Sequence, residues 1–202
     1  MLSDPIRWPI LGHLRDLALP DAWIGAGFVR NAVWDHLHDR PAAPPATDID
    51  IIWFDPARTD PAVDASIERH LQATHPGIRW SVKNQARMHL RNADPPYPSA
   101  TGAMRCWPET ATAVAVRRTD NNHCEVAAPW GLDDLFGLIL RPTPRFTAEK
   151  APIFQARLRD KAWCATWPRL RIRPNSCAET PGSSPVDRTA ARRTAAPTRC
   201  ER

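Results

Sequence analysis

Apolar positions along the first forty residues keep helical spacing, interrupted once. Ile10, Leu11, Leu14, Leu17 and Leu19 predict a short amphipathic helix that Pro20 and Asp21 end. Ala22, Trp23 and Ile24 are a brief apolar approach to Gly25 and Gly27, and a second helix is expected from about Gly27 to His38, with Phe28, Val33, Trp34 and Leu37 inward. Three prolines between Arg40 and Thr47 exclude regular structure there. The period then changes. Residues 48–54, rich in Ile and aromatics, read as a strand, and residues 78–84 alternate apolar with polar as a half-buried strand should. Between them residues 63–74 read as a helix, with Ile67, His70 and Leu71 on one side.

Downstream, the β-branched and alanine-rich run 110–116 and the segment 124–127 are expected to be strands. Residues 131–140 begin as a turn or short helix and end apolar. A last helix is expected over 152–167, carrying Phe154, Leu158, Ala162 and Ala165 on one face. The tryptophans at 8, 53, 80, 107, 163 and 167 are read as core. Helices and strands in this order predict an α+β domain around a small mixed sheet. The domain is expected to span 1–173. From 174 to 202, Pro, Ser, Thr, Ala and Arg dominate and too little apolar surface remains to offset ordering entropy, so a disordered tail is expected.

Composition narrows this only modestly. A formal charge of +5 in 202 residues is too mild to argue for a nucleic-acid surface by itself. No apolar run approaches the roughly 18 residues of a membrane-spanning helix. Five cysteines form no Cys-x-x-Cys pair and, with no secretory segment near Met1, suggest reduced thiols in a cytoplasm. His36 and His38, two apart on a helix, face different ways and make no zinc site.

Two short segments carry the candidate chemistry. Asp48 and Asp50 stand at i and i+2 on a strand, so both carboxylates point to one face, placed to hold a divalent cation. The bland alternative is a strand that begins in solvent. Gly25 and Gly27 precede a helix, where backbone N–H groups and the positive helix end can meet a phosphate, or where a tight turn is simply needed. Arg30, one turn into that helix, suits a phosphate through its planar fork or a surface ion pair. Asn84, Arg87 and His89 gather polar groups where a strand ends, either facing a ligand or capping a helix.

The order of glycine turn, helix with Arg30 and Asp-x-Asp strand resembles the polymerase-beta-like nucleotidyltransferase superfamily. Residues 25–31 look like the Gly-Gly-x-Val-Arg-Asp of tRNA nucleotidyltransferases and poly(A) polymerases, with Ala26-Gly27 for the double glycine and Asn31 for the Asp. Segments 23–31, 48–50, 80–89, 107–113 and 129–136 resemble a bacterial nucleotidyltransferase-like family, over about 8–172. That resemblance implies transfer of a nucleoside monophosphate from an NTP to a hydroxyl, with Mg²⁺ or Mn²⁺ on Asp48 and Asp50. It also implies Gly25, Gly27, Arg30, Asn84 and Arg87 around the nucleotide, and RNA, a protein or a small molecule as acceptor. Two departures stand out. The gap from Gly27 to Asp48 is long, and the superfamily's third carboxylate has no obvious counterpart. Glu109, Glu125, Asp133 and Asp134 are its candidates, with Asn84 a neutral substitute. If none fills the place, the alternative is a degenerate member that binds a nucleotide or partner without chemistry.

Overall fold

A computed structural model describes residues 1–2 and 4–173 of the chain; the expected tail at 174–202 lies outside the described residues. The chain opens with α1 (Arg7–Asp16), β1 (Trp23–Gly25), α2 (Gly27–Leu37), β2 (Ile49–Trp53), α3 (Pro61–Thr74), β3 (Trp80–Asn84), α4 (Gln85–Asn92) and α5 (Ala100–Met104). It continues with β4 (Ala115–Arg118), β5 (Cys124–Ala127), α6 (Asp133–Phe136) and β6 (Ile139–Leu140). A 3-10 turn at Pro144–Phe146, α7 (Ala151–Lys161), α8 (Trp163–Thr166) and β7 (Arg171–Ile172) complete it. Five strands form one sheet in the order β3-β2-β1-β4-β5. Within this sheet β2 and β3 run parallel, joined by α3, and the other neighbours run antiparallel, so the sheet is mixed; β6 and β7 pair separately, in parallel. The α+β expectation stands.

Alternation gives the sheet two unequal faces. Ile24, Ile49, Ile51, Trp53, Trp80 and Val82 point into the larger core, where α1 supplies Leu11 and Leu14 and α2 supplies Phe28 and Trp34. Burying each large side chain is worth about 1.5–3 kcal/mol. The opposite face carries Trp23, Ile52, Ala115 and Ala127 against Ala100 and Met104 at α5. Asp50 shares parity with Ile52, so its carboxylate lies on this thinner face.

The outer edge of β3 is closed by α3. Asp64 and Glu68 are one helical turn apart, about 6 Å along the axis. Val82 and Asn84 present edge N–H groups about 7 Å apart. Glu68 accepts from the Val82 N–H at 2.7 Å and Asp64 from the Asn84 N–H at 3.1 Å. Two carboxylates thus take the ladder donors that would otherwise invite a foreign strand.

Two expectations are corrected. Residues 110–113 form a turn, with the Thr112 and Ala113 N–H groups donating to the Glu109 carbonyl, and the strand starts later at Ala115. The last helix is broken at Ala162, which adopts a left-handed conformation (φ 45°) and separates α7 from α8. Ala162 and Ala165 are therefore exposed, while Trp163 and Trp167 turn inward to meet the Trp34 ring edge-on at 6.1 and 5.2 Å. This packing swings α7 and α8 back over α2.

Candidate active site

A cleft of about 750 Å³ opens where α2 begins and β2 begins. Its walls are the start of α2, the proline-rich loop at 41–47, the Asp48 and Asp50 positions and the returning α7–α8 segment. The loop is pinned from two sides. The Arg7 guanidinium donates to the Ala43 carbonyl (3.2 Å) and to Phe28 O (3.2 Å), and Arg79 donates to Ala46 O (2.9 Å). Extra loop length is thus folded into a wall.

Asp48 and Asp50 both line the cleft. Asp48 precedes β2 and is largely exposed, with Arg79 Nε at 3.1 Å. Asp50 sits inside β2, directly across from Gly25 of β1 and Ser81 of β3. Burial raises the Asp50 carboxyl above the ordinary carboxylate range; a hydrogen bond with Ser81 opposes this, and the Asp48 charge adds to it. Two acids repel here, as a pair does when it shares a space suited to a cation. Among the described residues no group of three or more His, Cys, Asp and Glu side chains could hold a metal. Mg²⁺ does not need one: it keeps several waters and takes one or two carboxylates with phosphate oxygens. The donor set, two hard carboxylates at the mouth of a cationic cleft, fits Mg²⁺ or Mn²⁺.

The two glycines have different reasons to be glycine. A Cβ on Gly25 would meet the Trp107 ring at 2.9 Å, on the face that Asp50 occupies. Gly25 makes room for a tryptophan and is not among the residues that line the cleft, whereas the sequence suggested a place in a phosphate cradle. A Cβ on Gly27 would come within 3.1 Å of Thr47 Oγ1, and Gly27 does line the cleft. This close approach sets the first turn of α2 beside the Asp48 segment. Between the glycines, Ala26 holds φ 52° and ψ −121°, a conformation proper to glycine. Ala26 cannot cap the helix, and among the described residues no side chain bonds the N–H groups of the first turn of α2.

Arg30 lies beneath the cleft. Its guanidinium donates to Thr112 Oγ1 at 2.8 Å and Asn31 Oδ1 at 2.9 Å, and sits 5.0 Å from the Trp34 ring and 4.7 Å from Trp163. Burial lowers its pKa to about 10, with Glu109 opposing and Arg157 reinforcing the shift. It stays charged at neutral pH. Its Nε is buried with no partner among the described residues. Glu109, fully buried, takes both hydrogen bonds of Arg157 at 2.7 and 3.2 Å.

Asn84 and Arg87 are elsewhere. Asn84 shares parity with Val82 and so lies on the face opposite Asp50; it caps α4 through the Ala86 N–H and donates to Asp55 O and Arg58 O at 2.8 Å. Arg87 pairs with buried Asp64, which also accepts from Trp53 Nε1 at 2.7 Å. Neither lines the cleft. None of the third-carboxylate candidates lines the cleft, and three of the four are paired with arginines. Glu109 holds Arg157, Glu125 pairs with Arg117 on the outer hairpin, and Asp134 binds Arg141 and Thr110, with Asp133 beside it in α6. The remaining acid of the cleft, Asp35, is about 12 Å along α2 from Gly27 and accepts from Trp167 Nε1 at 2.8 Å.

Sequence reasoning missed Thr112, Arg157, Lys161 and Trp163, all on the cleft. Only the i, i+4 basic pair Arg157 and Lys161 left a local trace, a charged stripe on the last long helix.

Comparison with known proteins bears on the family and the fold. A protein whose NMR structure reveals a CCA-adding enzyme head domain is 35% identical, with a TM-score of 0.77 over 86% of this chain and 92% of that one. A CCA-adding enzyme in complex with CTP is 16% identical, with a TM-score of 0.53 over 85% of this chain and 41% of its own. The Thermotoga maritima CCA-adding enzyme complexed with tRNA is 16% identical, with a TM-score of 0.51 over 83% of this chain and 38% of its own. These two show a shared fold, and this chain spans about two fifths of their length. No curated protein matches. With a family model described as nucleotidyltransferase matching residues 12–172, the chain belongs to that nucleotidyltransferase family, and its fold is the polymerase-beta-like one.

Proposed function

We propose that this protein transfers a nucleoside monophosphate from a metal-bound nucleoside triphosphate to a hydroxyl acceptor. One observation carries the reading: the uncapped start of α2 at Gly27 and the carboxylates Asp48 and Asp50, which flank the first residue of β2, open onto one cationic cleft. The first-turn N–H groups of α2, with the positive end of its dipole, receive phosphate oxygens. Asp48 and Asp50 would hold Mg²⁺ or Mn²⁺. When bound, the metal neutralises the triphosphate and lowers the pKa of an attacking hydroxyl. Arg30, locked by Thr112 and two tryptophan rings, holds a fixed positive charge under the phosphates. The proline-rich wall, tied down by Arg7 and Arg79, orients the nucleotide and limits water.

The CTP and tRNA complexes of the distant CCA-adding enzymes make an RNA hydroxyl the first acceptor to test, with protein and small-molecule hydroxyls as further arms. The experiment is incubation with each α-labelled NTP, Mg²⁺ or Mn²⁺, and each acceptor class in turn. Label on an acceptor, lost in Asp48→Asn and Asp50→Asn, supports the reading. NTP binding with no label on any acceptor favours a second one, a nucleotide-binding member without chemistry. The observation on its side is that none of the other candidate carboxylates lines the cleft, and three of the four are paired with arginines.

A further inference from the structure

The cations of the cleft are Arg7, Arg30, Arg40, Arg157 and Lys161. Four of the five are occupied. Arg7 is buried on Asp4, Phe28 O and Ala43 O. Arg30 is committed to Thr112 and Asn31. Arg40 bonds Asp35 and the Thr166 carbonyl, and Arg157 is held by Glu109. Lys161 differs: its side chain is exposed and has no ion-pair or hydrogen-bond partner among the described residues. It stands one turn beyond Arg157 on the same face of α7 and lines the same cleft as Asp50. The left-handed Ala162 that ends α7 buries Trp163 against Trp34, which fixes the last turn, and Lys161 with it, above the cleft.

Resting on the nucleotidyl-transfer reading above, we propose that Lys161 binds the β- and γ-phosphates of the nucleotide and therefore the pyrophosphate that departs. In the transfer, the acceptor oxygen bonds to the α-phosphorus, and the bond from that phosphorus to the bridging oxygen breaks. Pyrophosphate leaves with the electron pair, and the acceptor proton passes to solvent. Charge accumulates on the leaving side. A compact ammonium on a flexible stem can follow that group as it moves, which the braced arginines cannot. Lys161 is thus a phosphate-binding residue whose contribution grows with the number of phosphates beyond the α position.

The test measures affinity without turnover. Calorimetry with Mg²⁺ compares inorganic pyrophosphate, a non-hydrolysable NTP and the matching NMP, on the parent protein, Lys161→Met and Lys161→Arg. The expected result is a loss of about tenfold for pyrophosphate and NTP in Lys161→Met, with the NMP unchanged and Lys161→Arg largely restored. An unaltered melting temperature in Lys161→Met, expected of an exposed side chain, shows that the loss is local. A parent that binds NTP while Lys161→Met binds NTP and pyrophosphate equally well overturns this assignment alone. Equal losses for NTP and NMP also overturn it. A parent that binds none of the three overturns the nucleotide reading itself.

Discussion

Asp64 shares the β3 edge with Glu68, and replacing it by Asn removes its charge and one of its acceptor oxygens together. Its carboxylate is 3% exposed and accepts from Trp53 Nε1, the Asn84 N–H and the Arg87 guanidinium. An amide keeps one acceptor oxygen and sets an N–H₂ where the second stood, so at least one donor is orphaned. Breaking a buried ion pair costs about 3–5 kcal/mol. Arg87 is 20% exposed and can recover some hydration, which brings the expected loss to about 2–4 kcal/mol. For a domain of this size that is a fall in Tm of roughly 5–15 °C. Arg87→Met should cost less, about 1–3 kcal/mol, because Asp64 retains its other two donors. Urea denaturation of the two single variants and the double variant measures the coupling, expected at about 1–3 kcal/mol. Arg87→Met should bind nucleotide as the parent does. Parent-like stability with nucleotide binding lost would refute the ion-pair role and return Arg87 to the ligand site.

Three further outcomes follow from backbone and charge. Ala26→Gly should raise stability by about 1 kcal/mol, since relieving a glycine-type conformation outweighs the added freedom of the unfolded chain; an unchanged or lower Tm would contradict the strain. Gly25→Ala should destabilise by about 1–3 kcal/mol as Trp107 is displaced, and tolerance in a thermal melt would show that the ring yields freely. Burial pushes the Asp94 carboxyl up, but hydrogen bonds from Lys150 and Tyr97 and the charges of Lys150 and Arg145 more than offset it, so its folded pKa lies below the unfolded one. That stabilisation is present above about pH 4 and is lost as pH falls through the folded value. The stability gap between the parent and Asp94→Asn should therefore close in acid, and a gap constant from pH 7 to pH 3 would contradict it.

Much of this was legible in local sequence. Ile49, Ile51 and Trp53 against Asp50 show two faces of one strand, and Phe28 and Trp34 mark the buried side of α2, while Val33 and Leu37, also expected inward, are half-buried. What could not be read depended on distant partners. Residues 110–113 have a strand composition, yet the Glu109 carbonyl draws their N–H groups into a turn and Thr112 spends its hydroxyl on Arg30, 82 positions away. The break at Ala162 has no proline or glycine to announce it; burying Trp163 and Trp167 against Trp34 outweighs the left-handed cost at an alanine. Asn84 shows a signal that was present and passed over. Strand parity from Val82 already sets it on the face away from Asp50, whatever its polar neighbours suggest.

The central claim is that Asp48 and Asp50 bind a divalent cation together with a nucleotide in the cleft at the start of α2. Calorimetric titration of Mn²⁺ with a non-hydrolysable NTP tests it most directly, on the parent protein and on Asp48→Asn and Asp50→Asn. The expected result is metal-dependent nucleotide binding that each substitution weakens by about tenfold, roughly 1.4 kcal/mol. Nucleotide affinity that is the same with and without Mn²⁺, or that both variants retain in full, would contradict it.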